Sequence, residues 1–280
     1  MELAIKPAGF IKAYIKSMRL YYSFITGMAG LVGISYYQFM AYNSEYAAVY
    51  DPTPMPELIL ILLILFLSWG INQIYNDYLG LEEDRINAPE RPMVTGELNS
   101  KLAVAVSTFL MIIAFFITWV FLEELAIIPL VLGVSLNIIY EYAKGHGIWG
   151  NIVFGLMIST CTMYGFFAAG PVDLSSLDSG PVLLLLFVAL INGLMTLYTY
   201  FKDYTGDKAA GKKTLIVKFG LQKSQKISFL ASFLPLTIFI IIFFGLDAWD
   251  FSLNGIFIEL GLLSTGLQIW TGYLFFINPK

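Results

Sequence analysis

The 280-residue sequence holds one cysteine, Cys161, and one histidine, His146. A single thiol excludes an internal disulfide and a cysteine-ligated metal or iron–sulfur centre, and a single imidazole excludes a multi-histidine metal centre. Charge is scarce too: 13% of the residues are charged, against about 25% in an average soluble domain. The net charge of −4 excludes the broad basic surface that nucleic-acid binding needs. Apolar residues fill the chain instead, at 58%, with 23 Phe, 17 Tyr and 5 Trp. That balance excludes a disordered, a fibrous and an ordinary cytosolic chain, and points to an integral membrane protein.

A helix needs about 20 apolar residues to cross the hydrocarbon core. Eight segments qualify: Tyr21–Ala41, Glu57–Asn76, Lys101–Phe121, Leu125–Glu141, Asn151–Gly170, Pro181–Tyr200, Ile227–Gly245 and Gly255–Phe276. Their length excludes a porin-type barrel, whose strands alternate polar and apolar residues in segments of about ten. The bases test this reading independently. Lys6, Lys12, Lys16 and Arg19 precede the first span; Arg85, Arg91 and Lys101 lie between the second and third. Lys144 lies between the fourth and fifth. Lys202, Lys208, Lys212, Lys213, Lys218, Lys223 and Lys226 lie between the sixth and seventh, and Lys280 follows the last. All 16 basic residues thus fall on one side. The opposite loops carry only acids: Glu45, Asp51, Glu57, Glu123, Glu124, Asp173, Asp178, Asp247 and Asp250. The positive-inside rule then puts both termini, and the basic loops, on the cytoplasmic face of a bacterial or archaeal inner membrane.

Near the N-terminus, Phe10, Ile11, Tyr14, Ile15 and Met18 alternate with Lys12, Lys16 and Arg19 at helical spacing, which predicts a short interfacial helix over about residues 8–19. The first apolar stretch is long and lacks a small-residue cleavage site, so no cleaved signal peptide is expected. The expected architecture is all-α: a single transmembrane domain over 1–280, two four-helix halves around a central cavity.

Two cytoplasmic loops carry the chemistry. In the first, if the helix continues, Asn72, Asn76, Gly80 and Asp84 share one helical face, with Asp77 two turns from Asp84 on nearly the same stripe. In the second, at the end of the sixth span, Asp203 and Asp207 lie one turn apart. The plain alternative is that these acids are solvated loop charges. Against it, idle polar groups at a span end are expensive. Both clusters also lie on the same membrane face, after the second span of each half, and share Asp-Tyr-x-Gly at Asp77–Gly80 and Asp203–Gly206. Carboxylates and amide oxygens without His or Cys suit a hard cation such as magnesium, usually held by one or two carboxylates plus substrate phosphates. Arg85, Arg91, Lys208, Lys212 and Lys213 flank the acids and suit phosphate oxygens, so a lipid diphosphate is the expected substrate.

At these residues the sequence resembles the UbiA superfamily of intramembrane prenyltransferases. Its first motif, Asn-Asp-x-x-Asp-x-x-x-Asp, stands here as Asn76-Asp77…Gly80…Asp84, followed by Arg85-Ile86-Asn87-Ala88-Pro89-Glu90-Arg91-Pro92…Gly96. Its second stands as Asp203…Asp207…Gly211-Lys212-Lys213-Thr214-Leu215. Tyr140…Lys144, Gly150-Asn151 and Arg19 resemble further family segments. The resemblance implies Mg2+-dependent ionisation of an allylic isoprenyl diphosphate of the farnesyl or geranylgeranyl class, and capture of the cation by a lipophilic acceptor. It implies that Asp77, Asp84, Asp203 and Asp207 hold magnesium with help from Asn72 and Asn76. Arg19, Arg85, Arg91, Lys144 and Lys208 would meet the diphosphate, and Tyr75, Tyr140, Asn151 and Tyr200 would line the pocket.

Two positions depart from the family pattern. Gly80 replaces the middle acid of the first motif, and Thr196 stands where a further acid is expected. Both resemble the terpene-synthase branch, in which the substrate's own double bonds capture the cation, and they tilt the expectation towards cyclisation. Prenyl transfer to an acceptor, with Glu82, Glu83 or Glu141 as base, is the alternative. An ion-coupled transporter is less expected, because transporters place binding groups near the bilayer midplane and these acids lie at helix ends.

Overall fold

The structure, a computed structural model, describes residues 7–42, 50–174, 177, 179–241 and 255–278. Lys6, Glu45, Asp178, Asp247, Asp250, Lys280 and the end of the seventh expected span lie outside the described residues.

The described elements are helical apart from one two-residue ladder. In chain order they are α1 Pro7–Met18, α2 Phe24–Tyr42, α3 Met55–Leu79, α4 Leu81–Asn87, α5 Pro92–Thr95, α6 Ser100–Phe121 and α7 Ile127–Lys144. Strand β1 His146–Gly147 follows, then α8 Trp149–Ala168, α9 Ser179–Ala209, β2 Lys213–Thr214, α10 Leu215–Phe219, α11 Leu221–Ala231, α12 Leu234–Ile240 and α13 Gly255–Ile277. Six spans among the described residues, those built on α3, α6, α7, α8, α9 and α13, are long and apolar enough to cross a membrane. The first expected span corresponds to the 19-residue α2, which carries Thr, Ser, Gln and three glycines. The seventh is divided between α11 and α12. Pro235 has no N–H and its ring crowds the carbonyl four residues back, at Ala231, where α11 stops.

Contacts divide the chain into two compact units: Met1–Glu141 with Met157–Asp173, and Tyr142–Leu156 with Leu174–Lys280. In the first, α3 packs against α1, α2 and α6. Helix α1 turns Ala13, Tyr14, Ser17 and Met18 inwards at helical spacing and leaves Ile11, Lys12, Ile15 and Lys16 exposed. Ala13, Tyr14 and Met18 form a core with Ile74, Met93, Leu98 and Ala103, directly beside Asp77 in sequence and space. Two buried hydroxyls bond across helices: Thr26 donates to the Leu65 carbonyl at 2.7 Å and Thr162 to that of Ala29 at 2.7 Å. Gly33 lets α2 approach α8 so closely that a Cβ there would overlap the Thr162 carbonyl.

In the second unit, α9 packs against α10, α11 and α12, and α11 against α13. Its core of Leu197, Tyr200, Phe201, Leu215 and Ile216 lies next to the second acidic pair. Strands β1 and β2 run parallel, pairing His146 with Lys213 and Gly147 with Thr214.

Candidate magnesium and diphosphate site

Asp77, Asp203 and Asp207 ride on helices that outlast their apolar sequence. Helix α3 is 25 residues long and α9 is 31, or about 38 and 46 Å at 1.5 Å per residue, against a hydrocarbon core of about 30 Å. The surplus turns of α3 carry Asn76 and Asp77, and those of α9 carry Asp203 and Asp207. Gly80 ends α3: its N–H donates to the Asn76 carbonyl at 2.8 Å, and α4 begins at Leu81, which places Asp84 in α4.

In the first unit, the side chain of Asp77 is 1% exposed. Its Oδ1 accepts from Arg19 Nη2, from Arg91 Nη1 at 3.3 Å and from Gln73 Nε2 at 3.5 Å. Its Oδ2 is buried without a hydrogen-bond partner, as is Asn76 Oδ1. Arg91 Nη1 also donates to Asp84 Oδ2. Burial disfavours the charged carboxylate of Asp84 and pushes its pKa up to about 6, with Arg91 opposing the rise. Arg19 joins α1 to a short 3-10 turn, Leu20–Tyr22, in a left-handed backbone conformation, φ 46°. Asn72 is half-buried and Arg85 is exposed on α4.

In the second unit, Asp207 is fully buried and Lys144 Nζ stands 3.4 Å from its Oδ1, an ion-pair distance rather than an aligned hydrogen bond. The backbone closes around this pair: the Lys212 N–H donates to the Asp207 carbonyl at 2.9 Å, and the Lys213 N–H to that of Gly145 at 3.1 Å. Gly147, within β1, and Gly211, just before β2, adopt positive φ, 69° and 74°. Asp203 is half-buried, and Lys208 is exposed with Nζ 5.6 Å from the Tyr204 ring centre.

The expected pocket residues divide between the units. Tyr75 bonds Thr108 across to α6 at 2.6 Å, and Tyr140 is buried; both belong to the first. In the second, Asn151 donates to the Gly193 carbonyl at 3.1 Å and keeps a buried, unpartnered Oδ1. Tyr200 there is fully buried, its hydroxyl in the space that a side chain on Gly150 would need. Sequence reasoning passed over Gln73, although it lies one turn before Asp77 on the same helix face.

Gly80 and Thr196 have structural roles that need no cyclase. Gly80 has a negative φ, and a Cβ added there would lie 3.0 Å from the Asn76 carbonyl and 3.7 Å from carboxylate oxygens of Glu83 and Glu141. Thr196 is buried and donates to the Asn192 carbonyl of its own helix at 3.1 Å.

Among the described residues no three Asp, Glu, His or Cys side chains gather as a metal group. Each unit offers instead a pair of acids, and in each pair one member, Asp77 or Asp207, has a buried oxygen without a hydrogen-bond partner. That fits magnesium, which commonly takes one or two carboxylates and completes its shell with substrate phosphates and water.

Residues 39–276 match the model of the UbiA prenyltransferase family. A digeranylgeranylglyceryl phosphate synthase from Thermococcus sibiricus is 28% identical over 282 residues, covering 96% of this chain and 88% of the relative. The apo structure of a UbiA homologue from Aeropyrum pernix K1 superposes with a TM-score of 0.77 at 19% identity, covering 93% of this chain and 90% of the other. A UbiA homologue from Archaeoglobus fulgidus bound to DMAPP and Mg2+ gives 0.70 at 16% identity, with 94% and 85% covered. The curated relative is named for a prenylated glyceryl phosphate, and this favours transfer to an acceptor over the cyclisation that Gly80 and Thr196 suggested. With 39–276 matched, the chain belongs to the UbiA prenyltransferase family and is an enzyme of that superfamily, an integral, multi-pass membrane protein.

Proposed function

We propose that this enzyme moves an isoprenyl group, of geranylgeranyl length, from its diphosphate to the free hydroxyl of a prenylated glyceryl phosphate. The chain length and acceptor follow the name shared by the curated relatives. The observation that carries the reading is that buried carboxylates stand against guanidinium or ammonium groups, Asp77 and Asp84 against Arg19 and Arg91, and Asp207 against Lys144, with Asp77 Oδ2 and both Asp207 oxygens left without a hydrogen bond.

Asp77, Asp84, Asp203 and Asp207, with Asn72 and Asn76, would hold magnesium. Magnesium supplies charge neutralisation that lets the diphosphate leave. Arg19, Arg91 and Lys144 stabilise the negative charge that grows on the leaving diphosphate, a role for which fixed cations in a dry site are well suited. Arg85 and Lys208, both exposed, suit the more solvated phosphate oxygens. The allylic carbon–oxygen bond breaks, the acceptor hydroxyl oxygen bonds to that carbon, and its proton passes to a nearby carboxylate; Glu83 and Glu141 approach Gly80 at suitable positions.

Purified enzyme supplied with geranylgeranyl diphosphate and Mg2+ tests this, with and without geranylgeranylglyceryl phosphate, by mass spectrometry of the extract. The expected result is a mass gain of one geranylgeranyl group on the acceptor, dependent on both acceptor and Mg2+. A cyclic hydrocarbon from the diphosphate alone would reinstate cyclisation, and no consumption of any isoprenyl diphosphate would overturn the reading.

A further inference from the structure

The four charged side chains of the first cluster balance one another. Asp77 and Asp84 carry its negative charges, Arg19 and Arg91 its positive ones, and Arg91 Nη1 reaches both acids. Three donors crowd onto Asp77 Oδ1 while Oδ2 takes none. Arg19 reaches Asp77 from a left-handed backbone conformation, the only non-glycine positive φ among the described residues and an unfavourable one for a residue with a Cβ. The second unit repeats the principle with different residues, Lys144 serving the fully buried Asp207.

We propose that Arg19 and Arg91 are internal counter-ions: they occupy the carboxylates until a diphosphate draws them off, so that magnesium and diphosphate each bind weakly alone and strongly together. The inference rests on the reading of this site as one for magnesium and diphosphate. A cation arriving alone competes with two guanidinium groups for Asp77 and Asp84. A diphosphate arriving alone pulls the arginines from acids that then stay buried and unpaired, a strongly unfavourable state. With both present, the arginines turn to phosphate oxygens, which they can grip bidentately, and the acids turn to the cation. Every buried charge keeps a partner. Two ligands that each remove the other's penalty are positively coupled, and the coupling is reciprocal.

Because magnesium and pyrophosphate associate in solution, binding of each ligand by itself is the decisive readout. Isothermal titration of the full chain in detergent would compare the wild type with two variants. Arg91→Gln removes a competing cation, and Mg2+ alone should bind about tenfold tighter than to wild type, within the usual range of site coupling. Asp84→Asn releases Arg91, and inorganic pyrophosphate alone, with chelator present, should bind tighter by a similar factor. If Arg91 only grips diphosphate, or only supports the fold, Mg2+ affinity in Arg91→Gln stays equal or falls, and the inference is overturned. Should that variant not fold, the pyrophosphate arm decides: unchanged or weaker binding to Asp84→Asn overturns it equally. A wild type that binds nothing when both ligands are supplied would instead remove the magnesium and diphosphate reading itself.

Discussion

Asp84 shows how burial sets the chemistry of a single residue. Its ordinary value of 3.8 rises to about 6 because a carboxylate withdrawn from water loses hydration that Arg91 only partly replaces. A raised carboxyl value means that the ionised form is penalised in the fold. Ionised Asp84 therefore weakens the metal-free protein above about pH 6, and that penalty is relieved as pH falls from about 6 towards 3.8. Magnesium needs the carboxylate, so its apparent affinity should be level above pH 7 and fall by about tenfold per unit below pH 6. Magnesium titrations between pH 5 and 8, followed by thermal shift in the presence of pyrophosphate, would show this; a flat profile would remove Asp84 from the metal set. Asp84→Asn and Asp203→Asn change charge but little volume. Each should reduce turnover by about 100-fold or more while the melting temperature stays within a few degrees. Full activity in either would exclude that acid from the site.

At the scale of elements, the spans marked by hydropathy end where the apolar residues end, at Asn76 and Tyr200. The helices themselves run on to Leu79 and Ala209. Hydropathy records the solvent a segment prefers, whereas backbone hydrogen bonding continues as long as no breaker intervenes; Gly80 and Gly211 are the stops. Asp203 and Asp207 therefore share one helix as their spacing implied, whereas the single face drawn from Asn72 to Asp84 is broken at Gly80, which puts Asp84 on α4. The ladder between β1 and β2 was not legible, because two-residue parallel pairing across 67 positions leaves no periodicity to read. Helix packing supplies a further test. Gly33→Ala would force a methyl group into the Thr162 carbonyl of α8, where backbone rather than a flexible side chain must yield. The expected loss is about 1–3 kcal/mol, measured by thermal or detergent unfolding. An unchanged stability would mean that α2 and α8 lie further apart than described.

For the whole molecule, the expected sidedness rests on charge. The positive-inside rule operates during insertion and depends on where Lys and Arg lie along the chain rather than on tertiary packing, so labelling is its test. In a Cys161→Ser background, a cysteine replacing the exposed Arg85 should react with an impermeant reagent only from the cytoplasmic side. One replacing the exposed Glu124 should react only from the opposite side. Labelling of both from one side would overturn the span assignment between α3 and α7.

Composition, apolar run length and the distribution of bases determined by themselves that this is an all-α membrane protein. The two acidic motifs could be picked out as candidates in the same way, because hydropathy, charge bias and helical spacing are local properties of a chain. Tertiary structure decided which cation meets which acid. Arg19 reaches Asp77 across 58 positions because α1 packs on α3 and its last residue before the turn is left-handed. Lys144 meets Asp207 where two loops close into a ladder. Such pairings depend on the packing of segments distant in sequence, and the energy of a buried charge depends on the partner that packing brings to it.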